Sequence, residues 1–451
     1  MFAALWLVGC WSSNPPVKMS PAPPDAPNVI VVSLDTMRSD RMSAYGYERN
    51  TTPYLASLAE KGAIFTESYS EGPMTTMSHA SMFSGRHLFG HHTFKTSHRL
   101  PGEIQTLAET FQAAGYTTFA RASSIRFHPS IDFDQGFDDY KAYWDLRKNA
   151  RSEKVISDLH GFASQQDDAP VFAFMHLFDP HAPYNPPEPF ASQFTEVRED
   201  FPPIKTVDYV RERRHAKAKY TLKDLRYLQD LYDGGLRFTD ANVEEMMAGL
   251  SIPNGRSTLL VITSDHGDAF KEHGYLGHSN WLYEEIVRVP LLFVWEGHIQ
   301  PGKQHSLPVG NADLYPTLVE LVGLDPVEGL SGMSLAGALL GTSEASRSSG
   351  DVDAPLLLMN TRRHWAILGT VDGRRYKLVH RRKDPEELFD LTDDPGGFKS
   401  IAGDRPEIVA ALRAVAEEMG VTKPLAGPID NERSVGLDEL EALKALGYVD
   451  D

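Results

Sequence analysis

The chain is 451 residues long, carries a formal net charge of -18 and contains a single cysteine, Cys10. Length alone is compatible with up to about three domains or with one large α/β unit around a substantial core. The acidic balance excludes nucleic acid or an anionic membrane surface as the main partner, because phosphate binding needs clustered Lys and Arg; the lone cysteine excludes an intrachain disulfide and a multi-cysteine metal site.

Phe2 to Val8 form a short apolar stretch that ends in Leu7, Val8, Gly9 and Cys10. That tetrad resembles a bacterial lipoprotein lipobox, which implies acylation of Cys10 and a place in the cell envelope, with membrane contact only through the N-terminal lipid. No other stretch approaches the roughly 20 apolar residues of a membrane span. Pro15, Pro16, Pro21, Pro23, Pro24 and Pro27 follow. Residues 1–27 are therefore set apart as a signal peptide and a semi-rigid tether.

From Asn28 to about residue 345 strands alternate with helices, the pattern of a wound α/β domain. Val29, Ile30, Val31, Val32 and Leu34 lead into Asp35 and Thr36. Thr51, Thr52 and Pro53 start a helix that buries Leu55, Leu58 and Ala59 and stops at Gly62. Ser78 to Ser84 reads as a helix start, and a further helix runs from about Ile104, burying Leu107 and Phe111, to Gly115. Val171, Phe172 and Phe174 lead into Asp179 and His181. Residues 185–220 resemble an inserted surface segment whose cluster Arg211, Arg213, Arg214, Lys217 and Lys219 reads as a solvated helix face, and a long helical region runs from Leu222 to about Met247. A third apolar strand, within residues 256–263, ends in Asp265 and His266, with His278 thirteen residues past Asp265.

Near-continuous apolar runs suit strands covered on both faces, which are typically parallel with crossover helices. Ligands of such sheets bind beyond the carboxyl ends of the strands. Three strand ends that each present Asp or His therefore form one site hypothesis, with metal ligation as its leading chemistry. Residues 341–355 turn to Ser, Gly, Ala and Asp, which marks a boundary before a C-terminal subdomain at 346–451. There Trp365, Ile367, Leu368, Tyr376, Leu378 and Val379 flank a turn at Asp372 and Gly373, the mark of a small antiparallel sheet. Helices at about Pro406 to Met419 and Leu437 to Leu446 close the chain.

Several segments together, SLDTMRSDRMSAYGYERNTTPYLASLAEKGAIF, FMHLFDPHAPY, TSDHGDAFKEHG, YEEIVRVPLLF, EELFDLTDDP and ALKALGYV, resemble the sulfatase family of the alkaline phosphatase superfamily over nearly the full length. The resemblance implies a large, mostly parallel sheet flanked by helices, a smaller C-terminal antiparallel sheet and a divalent metal. Sulfatases carry C-x-P-x-R, whose cysteine becomes formylglycine. Counting back from Ser84, Gly85 and Arg86 puts Thr75 at that cysteine, Met77 at the proline and His79 at the arginine. No formylglycine is expected. A hydroxyl on a divalent cation loses its proton far more readily than a free one, so metal-bound Thr75 is expected to attack. Ser78 is the weaker rival.

Carried over position by position, the resemblance makes Asp35, Thr75, Asp265 and His266 the metal set. Thr36 stands where sulfatases have a second Asp, and the loss of one hard oxygen beside an imidazole shifts the expectation from calcium toward zinc or manganese. His278 stands at a sulfate-binding lysine and also resembles the phosphoethanolamine transferases, which pair it with a Thr nucleophile. His181 would contact the transferred group or protonate the leaving oxygen, as would His278, and His79 would bind the same anion. Asp179 reads as a structural neighbour, with a second metal at Asp179, His181 and His278 left open. His87, His91, His92 and His98 read as loop residues rimming the pocket. The implied activity is hydrolysis of a small-molecule, glycan or lipid ester of sulfuric or phosphoric acid. A phosphoethanolamine-type transferase of the envelope and a catalytically silent anion binder are the alternatives.

Overall fold

A computed structural model describes residues 18–143, 152–198, 201, 220–278, 280–344, 346, 348, 349, 351–361, 363–422 and 436. Cys10, the basic cluster at 211–219 and the expected helix at Leu437 to Leu446 lie outside these residues.

Eight strands form the main sheet: β1 (Asn28–Leu34), β2 (Ala63–Phe65), β3 (Thr117–Ala122), β4 (Asp139–Ala142), β5 (Val171–Leu177), β6 (Thr258–Thr263), β7 (Leu291–Val294) and β8 (Lys303–His305). Their order is β8-β2-β7-β6-β1-β5-β3-β4. β7 runs antiparallel to both neighbours, and the remaining pairings are parallel. The sheet is thus mostly parallel, as expected.

Alternation along β1 splits the core. Val29 and Val31 face one hydrophobic layer, with Phe111, Phe172, Phe174 and Leu318; Ile30 and Val32 face the other, with Leu55, Leu159, Leu228 and Tyr232. The first layer is covered by helices α2 (Thr75–Ser84), α3 (Leu107–Ala113) and α6 (Leu314–Leu321), and the second by α1 (Pro53–Lys61), α4 (Ser152–Ala163) and α5 (Leu222–Gly249). Burial on both faces explains the unbroken apolar runs.

Two helix starts differ from expectation. α3 begins at Leu107 rather than Ile104 because Thr106 and Glu109 form a capping box that fixes the N-terminus there. α2 begins at Thr75, three residues before Ser78, with extended Met74 as its N-cap residue. The shift matters, since it puts Thr75 itself in the first helical turn. Between residues 185 and 198 there is no helix or strand.

A second sheet joins strands Ser348–Ser349, Val352–Thr361, His364–Val371, Arg374–Arg381 and Glu387–Asp390, antiparallel throughout. Asp372 (φ 50) and Gly373 (φ 74) are both left-handed, which is the backbone a two-residue hairpin turn requires. One face of this sheet, through Leu357, Met359 and Ile367, packs on helix α7 (Pro406–Glu418) and also on Met77 of α2. The small sheet thereby supports the helix that carries Thr75. Among the described residues no helix is long and apolar enough to cross a membrane.

Candidate active site

Register brings the three strand ends together. Ser33 of β1 is aligned with His176 of β5 and Thr263 of β6, so Asp35 and Asp265 emerge side by side at the carboxyl edge. Asp35, Asp265 and His266 each offer a ligand atom, and these atoms lie within 4.8 Å of one another, all buried.

Asp265 divides its two oxygens. Oδ1 accepts the backbone N–H groups of Thr36 (3.2 Å) and His266 (3.0 Å), while Oδ2 is buried with no hydrogen-bond partner among the described residues. Both carboxylate oxygens of Asp35 and the hydroxyl of Thr36 are equally without one. Nδ1 of His266 lies 3.0 Å from the carbonyl of Gly267, which can only accept, so Nδ1 holds the proton and Nε2 presents its lone pair. Buried oxygens without donors beside an imidazole nitrogen that presents its lone pair fit a divalent cation, since those oxygens would otherwise bear their full desolvation cost.

Electrostatics agree. Burial, then the neighbouring Asp265, push the Asp35 carboxyl well above its usual range. Burial also pushes Asp265 upward, but His266, His79 and His176 outweigh it and hold Asp265 below the ordinary carboxylate range. Two adjacent buried carboxylates ionise together only with added positive charge.

The loop after β1 is fixed from below. Thr36 adopts φ 57, a rare conformation for a β-branched residue. Tyr232 of α5 clamps it, its hydroxyl donating to the Thr36 carbonyl (2.7 Å) and accepting from the Arg38 N–H (3.0 Å).

Thr75 lies in the first turn of α2, its Oγ1 3.3 Å from Nε2 of His266. Unpaired N–H groups and the helix dipole favour an anion at such a terminus. The hydroxyl of Ser78 is instead occupied by Ser70 Oγ (2.5 Å) and the Gly72 carbonyl (2.9 Å), and so pins the turn. His79 is placed behind Thr75 rather than at the opening. Its Nδ1 donates to the Thr75 carbonyl at 2.7 Å and its Nε2 accepts from Ser33 Oγ at 2.9 Å. With both nitrogens engaged and no exposure, its ring supports the first turn of α2 and has no nitrogen left for an anion.

Thr75, His181 and His278 each keep 7% exposure while Asp265 and His266 keep none, so these three face the opening. The His181 and His278 rings lie 5.2 Å apart, and the His278 ring lies 4.1 Å from that of His266. Nδ1 of His181 donates to the Ala182 carbonyl at 2.6 Å, and burial lowers its pKa to about 4, so it is neutral at pH 7. His278 differs, because its Nδ1 is 3.1 Å from Oδ1 of Asp268, whose Oδ2 accepts from the Tyr184 hydroxyl at 2.6 Å. Asp179 accepts from Ser152 Oγ at 3.2 Å and joins no ligand group among the described residues. In the rim cluster, His87 binds Glu71 and His91 binds Ser81.

Sequence reasoning missed three participants. Asp268 directly follows the Asp265-His266-Gly267 triplet and could have been found as the carboxylate behind His278. Tyr232 stands mid-helix and His176 inside an apolar strand, where no local signal marks either.

The sulfatase family model matches residues 27–324, and a model of the C-terminal region of N-sulphoglucosamine sulphohydrolase matches residues 271–420. The chain is similar to a Δ4,5-hexuronate-2-O-sulfatase of Bacteroides thetaiotaomicron, 24% identical over 440 residues that cover 87% of this chain and 89% of that protein. It is likewise similar to arylsulfatase K of Homo sapiens, 24% identical over 447 residues, covering 86% and 81%. Among solved structures, a 2-O GAG sulfatase superposes with a TM-score of 0.71 at 22% identity, over 87% of this chain and 92% of the other. A phosphonate monoester hydrolase of Agrobacterium radiobacter superposes with a TM-score of 0.69 at 20% identity, over 87% and 94%. The chain therefore belongs to the sulfatase family of the alkaline phosphatase superfamily, a family of ester hydrolases.

Proposed function

We propose that this protein is a metal-dependent hydrolase of sulfuric or phosphoric esters in which Thr75 is the nucleophile. The observation that carries this reading is the 3.3 Å approach of Thr75 Oγ1 to Nε2 of His266, at the mouth of the Asp35, Asp265 and His266 group. Those three residues, with Thr75 facing them, would hold a divalent cation, which when bound supplies the charge that acidifies the hydroxyl and neutralises the ester oxygens. The nitrogen donor and the Thr at position 36 favour zinc or manganese over calcium.

Thr75 releases its proton to solvent through the opening, and Oγ1 attacks sulfur or phosphorus as the bond to the leaving oxygen breaks. His278, its Nδ1 held by Asp268, donates from Nε2 to that oxygen; a carboxylate behind an imidazole fixes its tautomer and stabilises its cationic form. Neutral His278 then takes a proton from water as the water oxygen attacks the ester, which restores protonated His278; the bond to Oγ1 breaks and Thr75 regains a proton from solvent. His181, neutral beside it, accepts hydrogen bonds from the incoming water or substrate hydroxyl. Asp268→Asn is expected to lower turnover of alkyl esters by about 10²–10⁴-fold and that of nitrophenyl esters far less, because nitrophenolate leaves without a proton. Equal losses on both would remove His278 from the acid role.

A glycan sulfate is the substrate class supported by the named activity of the Bacteroides relative. The threonine favours a second reading toward phosphorus. A formylglycine hydrate can expel sulfate through its second hydroxyl, whereas a threonine ester must be cleaved by fresh attack, a step suited to phosphoryl groups. Nitrophenyl sulfate, phosphate and phosphodiester, assayed side by side with and without divalent ion, test the proposal. Metal-dependent turnover of at least one ester is expected; a metal-loaded, folded chain inert on all three and on sulfated disaccharides would contradict it. Anchoring in a bacterial envelope through Cys10 belongs to the same proposal.

A further inference from the structure

His176 occupies β5 within the run Phe172, Ala173, Phe174, Met175, His176, Leu177, with no exposure at all. Neither Nδ1 nor Nε2 has a hydrogen-bond partner among the described residues. Its ring packs against Phe127 at 4.6 Å and edge-on against His79 at 5.3 Å. A buried polar group left unpaired bears the full cost of losing its water, and a Leu or Met would fill this place on an apolar strand without that cost. Nε2 lies 3.3 Å from Oδ2 of Asp35, close but not aligned for a hydrogen bond, so both atoms point into shared space rather than at each other.

That space adjoins the metal group. Ligand atoms of His79, His176 and Asp265 also lie within 4.8 Å of one another, and Asp265 belongs to both groups. His79 already spends its nitrogens on Thr75 and Ser33, which leaves His176 as the imidazole of that group able to ligate. Two donors bound tetrahedrally at 2.0–2.1 Å lie roughly 3.3 Å apart. His176 Nε2 to Asp35 Oδ2 is 3.3 Å, and His266 Nε2 to Asp265 Oδ2 is 3.4 Å.

We propose that His176 is a further ligand of the same cation, completing a set of two imidazoles and two carboxylates that selects a zinc-class ion over calcium. The inference rests on Asp35, Asp265 and His266 forming the metal site. Two nitrogen donors favour zinc, whereas calcium takes six to eight oxygens.

The test is equilibrium dialysis of the chelator-stripped full-length chain against Zn²⁺ and against Ca²⁺, with the visible spectrum of the Co²⁺ form as second readout. One tightly held zinc per chain is expected. His176→Gln and the strand-compatible His176→Leu should weaken zinc by about 100-fold, leave calcium within about threefold and shift the cobalt bands. Parent zinc affinity and an unchanged cobalt spectrum in both variants would overturn the proposal, as would two ions in the parent with one lost on substitution. Asp35→Asn separates the layers. If it abolishes zinc binding while the His176 variants do not, only the role of His176 fails; if it also changes nothing, the site itself is misassigned. Near-UV circular dichroism of the stripped proteins confirms folding in each case.

Discussion

Thr75→Ala is expected to lower kcat/KM by roughly three orders of magnitude or more on every ester the parent cleaves, while leaving the bound divalent ion in place. Thr75 contributes a hydroxyl whose Oγ1 is 3.3 Å from His266, whereas the candidate ligand atoms of Asp35, Asp265 and His266 come from side chains on the loops after β1 and β6. In the proposed mechanism, losing that hydroxyl removes the attacking atom and with it the covalent route. The helix should survive, since Ser78 still pins the turn through Ser70 and Gly72, and alanine is a good residue for a helix. Thr75→Ser, which keeps the oxygen, should recover a large part of the rate. Steady-state kinetics with metal analysis of the same preparations checks this. Full turnover by the alanine variant would transfer the nucleophile role elsewhere, for instance to a water molecule.

The second large effect runs in two directions at once. Asp35→Asn is expected to abolish divalent-ion binding and turnover, yet to stabilise the metal-free protein. Without a cation, Asp35 and Asp265 are two buried carboxylates with oxygens less than 4.8 Å apart and no donor to either Asp35 oxygen among the described residues. At an effective dielectric of about 20, full ionisation of such a pair costs on the order of 3 kcal/mol. Holding Asp35 protonated instead costs free energy at neutral pH, consistent with the upward push that burial and Asp265 exert on it. The sign follows. The folded-state pKa of Asp35 is raised, so its contribution favours the metal-free fold below the ordinary Asp range and is lost as pH rises toward the raised value. The neutral amide removes this dependence. In the parent, an ion at a thousandfold excess over its Kd stabilises by about 4 kcal/mol. Thermal melts with chelator and with saturating Zn²⁺ should therefore cross over, the variant melting higher when stripped and the parent higher when loaded. A stripped variant less stable than the stripped parent would contradict the carboxylate-pair account.

How much of this was legible in the chain depends on whether a residue's role is set locally. Asp35, Asp265 and His266 stand at the ends of strands, where the rule that ligands bind at the carboxyl edge of a parallel sheet marks them in the sequence as one group, and the structure brings their ligand atoms within 4.8 Å of one another. The turn at Asp372 and Gly373 was equally readable, because two adjacent left-handed residues are a local requirement. The start of α2 was not. Ser and Thr at 75, 76 and 78 offer several N-cap candidates, and the choice is made by tertiary contacts of Met77 and Ser78 with the small sheet and with Ser70. His79 looked like an anion ligand because of the motif position it fills; only the packing of α2 against β1 reveals that Ser33 and Thr75 consume both its nitrogens. His176 and Tyr232 are the extreme cases. One sits in an apolar strand and the other in the middle of a 28-residue helix, and each acquires meaning from a partner more than 100 residues away in sequence.

The divided labour of Asp265 couples the strand ends to one another. Oδ1 takes the backbone amides of Thr36 and His266, which joins the loop after β1 to the loop after β6, while Oδ2 has no donor among the described residues and is left for a ligand. Replacing this side chain would therefore loosen two loops as well as delete a donor, whereas a change at Asp35, whose oxygens accept no hydrogen bond among the described residues, would alter the donor set alone.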